Sequence, residues 1–221
     1  MLDMSTRQIT LDTVADLENA IDALCAFAPK FIPVVEQAGT PPLRRTEAGF
    51  SGMLRIITGQ QLSKASAAAI WQRMCDELSP HDPAHFATLN ERHFRAVGQS
   101  RPKIRTIMAF TDAVSSGVLD LAVLPELADD DVARALTAVK GIGPWSAEIY
   151  LLSCLGRPDV WPAGDLALQV AAADILGKPE RLTREEMLDV GEAWRPWRAV
   201  AARLLWAWYA HLKGGVEPGV V

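Results

Sequence analysis

Cysteine is scarce and scattered: Cys25, Cys75 and Cys154 are the only three in 221 residues, with no C-x-x-C pair and no histidine at ligand spacing. A disulfide framework and a zinc ribbon are excluded, and the thiols read as small buried hydrophobes in a reducing compartment. No apolar run is long and uncharged enough to cross a bilayer; the best, 199–212, is interrupted by Arg203. The opening MLDMSTRQIT has no basic stretch followed by an apolar one, so no secretory signal is expected. A basic excess is lacking too: 22 Lys and Arg against 27 Asp and Glu leave a net charge of −5 and a pI near 5.4. Any nucleic-acid-binding face must therefore be positive locally. Alternating strand patterns, internal repeats and low-complexity segments are also missing. What remains is an all-α chain, 49% hydrophobic, expected to fold as one soluble, cytoplasmic, monomeric unit over 1–221 with no membrane contact.

Helical signals fill most of the length. Asp12 is placed to cap a helix through Phe27 with Val14, Leu17, Ile21 and Leu24 as its apolar stripe, and a short helix follows over 31–37. Thr46 is placed to cap a helix carrying Phe50, Leu54 and Ile57 inward, and Ser63 one reaching Leu78. Between them Gln60 and Gln61 stand at a tip. Asp82, Asn90 and Ser100 start further helices, the last carrying Ile104, Ile107, Met108 and Val114. Arg92, Arg95, Arg101, Lys103 and Arg105 form a run with no acid among them, either a solvated helix face or a basic footprint.

The most informative stretch is LTAVKGIGPWSAEIYLLSCLGRPDVWPAGDLALQ, 136–169. Asp129 to Asp131 offer a helix N-cap and an acidic first turn, and Val132, Leu136 and Val139 recur at helical spacing. That helix stops at Gly141. Pro144 suits the first turn of a second helix that Gly156 closes, giving a helix-hairpin-helix over about 130–155. Gly141 and Gly143 let this backbone approach another surface, with free N–H groups pointing out, which suits a phosphate; a plain corner would use the same glycines. A Pro/Gly-rich loop, about 157–165, then delivers Asp165 to the start of a third helix, where a carboxylate is also an ordinary N-cap.

Together, LTAVKGIGPWSAEIY and WPAGDLALQ resemble the signature of the helix-hairpin-helix DNA glycosylase superfamily, most closely its 3-methyladenine DNA glycosylase II family. GMLRIITGQQLS and WRPWRAVAARLLWAWY resemble the family's DNA-entering segment and closing helix, so the likeness covers most of the chain from about Phe50. The resemblance implies a two-lobed helical fold with its active site in the cleft between lobes. Asp165 falls on the catalytic aspartate; Gly141, Gly143 and Ser146 on phosphate-binding amides; Gln60 and Gln61 on the DNA-entering tip, with Gln61 where a side chain fills the gap left by an extruded nucleotide. Thr137, Val139 and Ile142 fall on carbonyls that hold a sodium or potassium ion in some members. No other cofactor is implied, and the four-cysteine iron-sulfur loop of some members is missing. Nothing before Phe50 resembles the N-terminal β domain of longer bacterial members. Where strand-cutting members carry a lysine for a Schiff base, this chain has Trp145, which implies base removal alone.

The chemistry so implied is hydrolysis of the N-glycosidic bond of alkylated purines in damaged duplex DNA. An alkylated purine is cationic and leaves readily, so the protein must expose the nucleotide, hold a positive π-system and stabilise an oxocarbenium-like sugar. Asp165 serves the sugar. Trp145, Trp161 and Trp206 are expected to wall the base, while Trp71 is core and Trp194, Trp197 and Trp208 packing or rim. Asp159 reads as a turn residue and Asp174 as a helix-surface group. A glycosylase for deaminated or oxidised bases, a noncatalytic DNA-binding hairpin module and a plain helical scaffold remain as alternatives.

Overall fold

The computed structural model describes residues 9–215, and among them every regular element is helical. The last residues of the C-terminal tail, expected to fray, lie outside this range. No described helix is long and apolar enough to cross a membrane.

Two lobes share one continuous core. In one, α1 (Val14–Phe27), α2 (Ile32–Ala38) and α10 (Leu166–Ile175) pack on α12 (Arg198–Leu212), and α11 (Arg184–Glu192) lies on α10. Segments from both ends of the chain thus build the same lobe. In the other, α3 (Phe50–Gly59) meets α4 (Lys64–Leu78), α7 (Arg101–Ser115) and α9 (Pro144–Ile149). The short helices α5 (Pro83–Phe86) and α6 (Glu91–Ala96) lie on α7, and α8 (Asp129–Thr137) pairs with α9. Every α3 residue but Arg55 is buried, as befits a helix that is apolar on all sides. Phe50 stacks on Phe110 at 5.2 Å between ring centres.

Several helix starts differ from expectation by one local rule overriding another. Thr13, not Asp12, caps α1: its hydroxyl accepts the Asp16 N–H at 3.1 Å and its own N–H reaches the Asp16 carboxylate at 2.8 Å. Only that register closes a reciprocal capping box. Thr46 caps nothing, because its N–H is drawn to the Ser153 carbonyl and α3 starts later, after Gly49. Ala128, not an aspartate, is the N-cap of α8, leaving all three acids in its first turn. Val14 and Met108, expected inward, are exposed, and Trp71 is only half-buried. Cys154 is buried, its thiol pushed up to about 12 by burial, but Cys25 and Cys75 are half-buried.

The basic run is largely spoken for. Lys103 donates to the Thr58 carbonyl at the end of α3 (2.7 Å), and Arg95 and Arg101 both lie near Glu91, at 3.7 and 3.9 Å. An acid just outside the run in sequence is inside it in space.

The loop at 157–165 is held from several sides. Arg198 forks onto Asp159 at 2.8 and 3.1 Å and also reaches its carbonyl, while Arg195 adds a contact at 2.6 Å. Asp159 is therefore an anchor as well as a turn residue. Gln169 binds the Ala163 carbonyl at 3.0 Å, and the Ala199 N–H binds that of Pro158 at 2.9 Å. Arg157, fully buried, donates to the carbonyls of Pro125 and Leu127 ahead of α8. A partly exposed, charge-assisted fork of this kind contributes about 2 kcal/mol in all. Arg198→Met should accordingly lower unfolding free energy by about 2 kcal/mol in urea melts; a loss under about 0.5 kcal/mol would show that the loop is held without it.

Candidate active site

Asp165 stands at the seam of the two lobes. It is the N-cap of α10, and its Oδ1 accepts the backbone N–H groups of Ala167 and Leu168 at 2.9 and 3.1 Å. The indole N–H of Trp145, from α9 in one lobe, donates to Oδ2 at 2.9 Å; that of Trp206, from α12 in the other, donates to Oδ1 at 3.3 Å. Four N–H donors on one side chain that is only 9% exposed are the surroundings of an acceptor-only carboxylate. Oδ2 keeps a lone pair for a group entering the seam. The next residue, Leu166, is exposed at its rim, a placement that its apolar character hid in the sequence.

The hairpin's two glycines differ in purpose. Gly141 has φ of +94°, and a Cβ there would lie 2.0 Å from the Thr106 hydroxyl, so the fold itself requires glycine. Gly143 has an extended φ of −93° and nothing within 4 Å of a would-be Cβ. Its bareness serves no internal contact and leaves the N-terminus of α9 open to an outside surface.

Ser146 corrects an expectation. Its N–H is already bonded to the Gly143 carbonyl (3.0 Å), its hydroxyl accepts from Gln60 Nε2 (2.8 Å), and it is 2% exposed. It braces the hairpin against the tip instead of offering an amide to a phosphate. Gln60 is the other half of that brace, whereas Gln61 is exposed in a left-handed conformation, φ +54°, which turns it away from the helix axis. Thr137, Val139 and Ile142 lie at the end of α8 and in the turn after it; the Val139 carbonyl accepts the Ile142 N–H and retains one lone pair.

Trp161 also departs from its expected place. Its N–H binds the Met187 carbonyl at 2.7 Å, its ring meets Trp194 edge-on at 5.1 Å, and it packs over Gly191. It is core behind the loop, while Trp145 and Trp206 are the pair brought together at Asp165. Trp194 is packing, as is Trp208, whose N–H binds Asp174 at 2.8 Å.

Glu148, three residues beyond Trp145 on α9, was not singled out by sequence reasoning. Burial pushes its carboxyl up to about 7 against the pull of Arg184, and Asp165 adds to the rise.

Outside this geometry, comparison with known proteins gives the same placement. The family described as HhH-GPD superfamily base excision DNA repair protein matches residues 54–196. The chain belongs to the HhH-GPD superfamily. A Bacillus subtilis relative, YfjP, whose name assigns it provisionally to the DNA-3-methyladenine glycosylases, is 28% identical over 77% of this chain. The chain spans 62% of that relative's length. DNA-3-methyladenine glycosylase 1 of Schizosaccharomyces pombe is 30% identical, over 71% of each chain. The solved structure of the S. pombe 3-methyladenine DNA glycosylase Mag1 in complex with abasic DNA superposes with a TM-score of 0.76 and 27% identity, covering 85% of this chain and 95% of that one. The expected all-α helix-hairpin-helix glycosylase fold is thus the one observed in this HhH-GPD chain.

The Glu148 position has a measurable consequence. Its ordinary value is 4.5, and the folded chain, with a value near 7, holds the proton longer than the unfolded one. Stability attributable to this group therefore falls as pH rises from about 4.5 to 7, by up to about 3 kcal/mol, and no further above that range. Denaturant melts of Glu148→Gln should show the variant gaining on the wild type from pH 5 to about 7 and levelling off by pH 8; parallel profiles would contradict this.

Proposed function

We propose that this chain is a monofunctional DNA glycosylase that hydrolyses the N-glycosidic bond of alkylated purines such as 3-methyladenine in duplex DNA, in base excision repair. The observation that carries the reading is the Asp165 carboxylate, held at the lobe seam by an indole from each side. A noncatalytic hairpin module has no use for a buried carboxylate positioned this way, and a plain scaffold has no use for the bare Gly143.

The hairpin anchors the duplex. Backbone amides at Gly141 and Gly143, with the positive end of α9, meet a phosphate regardless of sequence, so binding needs little net positive charge. Thr137, Val139 and Ile142 offer neutral carbonyl oxygens at the C-terminal end of α8, a donor set that fits a sodium or potassium ion. Such an ion would supply positive charge beside the same phosphate. Gln61 at the exposed tip fills the space vacated by the extruded nucleotide, and the Gln60–Ser146 bond keeps tip and hairpin in fixed relation.

With the nucleotide in the seam, Trp145 and Trp206 flank the reacting centre. As the bond from C1′ to the base stretches, positive charge develops on the sugar and Asp165 stabilises it. Because its other lone pairs are occupied by N–H donors, the carboxylate acts mainly through charge, using the free lone pair of Oδ2 to orient the attacking water. A cationic alkylated base leaves without a proton donor. No amine occupies the position of Trp145, so the product is an abasic site in an uncut strand. The protein works as a monomer on DNA, in the cytoplasm or nucleoid.

Purified protein incubated with methylated duplex DNA, without added metal, should release free 3-methyladenine, and strand breaks should appear only after alkali. Breaks before alkali would show a lyase, and absence of any released base would remove the reading.

A further inference from the structure

The tip between α3 and α4 is gripped from beneath by the start of α7. In a helix that ran on, the Thr58 carbonyl would accept the N–H of Leu62. The chain turns instead, and Leu62 donates to Gly59 at 3.2 Å. The carbonyl thus released belongs to a residue only 1% exposed, and Lys103 Nζ takes it up at 2.7 Å. The Thr58 hydroxyl accepts from Gln99 Nε2 at 2.8 Å. Gln99 and Lys103 stand on either side of the α7 N-cap, so one short segment holds both the main chain and the side chain at the end of α3. Burial opposes the Lys103 charge and lowers its pKa, while the negative end of α3 favours it.

The same stretch of α7 also meets the hairpin. Thr106, one turn beyond Lys103, lies so close that a Cβ at Gly141 would stand 2.0 Å from its hydroxyl. Gln60 closes a triangle through its 2.8 Å bond to Ser146 in α9. Three links among tip, α7 and hairpin fix a separation that any single link would leave free to hinge. Gln61 stands at the apex with φ of +54°. A residue other than glycine keeps that conformation only where its surroundings impose it. The bonds on either side of it, from Lys103 to Thr58 and from Gln60 to Ser146, are those surroundings.

We propose that Lys103 is a positioning residue for nucleotide extrusion: by tying the end of α3 to α7 it sets the height of Gln61 above the phosphate held at the hairpin. The anchor fixes the backbone and the wedge displaces the nucleotide beside it, so the two must act on one duplex step at a set separation. Without the strut the tip yields when it meets stacked bases. Asp165 sits on α10 in the other lobe and is held by bonds that do not involve Lys103. Lys103 therefore acts on the step before bond cleavage. A nucleotide that is already unpaired leaves the stack at little cost, and for it the strut has little to do.

The proposal rests on the glycosylase reading above, and its test keeps the two apart. Single-turnover release of 3-methyladenine would be measured from a lesion opposite thymine and from the same lesion opposite an abasic analogue. The proteins are the wild type, Lys103→Met, Lys103→Arg, Gln61→Ala and the Lys103→Met/Gln61→Ala double variant. Lys103→Met should slow release from the paired lesion at least about tenfold and from the unpaired one no more than about threefold, with part of the loss recovered in Lys103→Arg. Because Lys103 acts through Gln61, the double variant should be little slower than Gln61→Ala alone. Lys103→Gln, which keeps a neutral donor, carries the same comparisons should the Met variant fail to fold. Equal losses on both lesions, unchanged release, or losses that multiply in the double variant each overturn the proposal and leave the glycosylase reading in place. Release from neither lesion by the wild type removes both.

Discussion

One carboxylate ties the two lobes together. Asp165 takes an indole N–H from α9 and another from α12, along with two amides of its own helix, so the seam between lobes is fixed by groups that converge on two oxygen atoms. Much of the surrounding structure maintains that convergence. The fork from Arg198 to Asp159, the bond from Gln169 to Ala163 and the buried Arg157 hold the loop that delivers Asp165. A site built on helix ends and braced loops holds its side chains in place before any ligand arrives.

On the proposed function, the same economy lets an acidic chain handle a polyanion. Most of the cations in the basic run bind a helix end or Glu91, while Gly143 leaves the start of α9 bare beside the exposed Lys140. Amides and a helix dipole attract phosphate without a net positive chain, and they read no sequence. That suits a protein whose target is defined by damage.

Local chemistry was legible in the sequence where one segment decides the outcome. The hairpin, the starts at Ser63, Asp82 and Asn90, and the delivery of Asp165 to a helix N-terminus all follow from short-range signals. Misreadings arose where a distant partner decides. Thr46 gives its N–H to Ser153, Ser146 accepts from Gln60 at its hydroxyl, and Trp161 turns its ring to Trp194. The two indoles on Asp165 come from positions 20 residues before and 41 residues after it, and only the resemblance to a known family put them near one another in advance. Glu148 carries no local signal of its burial, which only the packed fold supplies.

The account stands or falls on whether the carboxylate at the seam does the chemistry or only joins the lobes. Asn at position 165 keeps an oxygen for the α10 cap but turns an NH₂ group toward the Trp145 N–H, and it removes the negative charge. The most direct measurement is single-turnover release of 3-methyladenine by Asp165→Asn beside the wild type, with duplex affinity measured on the same preparations. We expect release to fall by at least about a thousandfold while affinity for duplex stays within a few fold. Release at the wild-type rate with intact binding would contradict the account, leaving Asp165 as a structural cap.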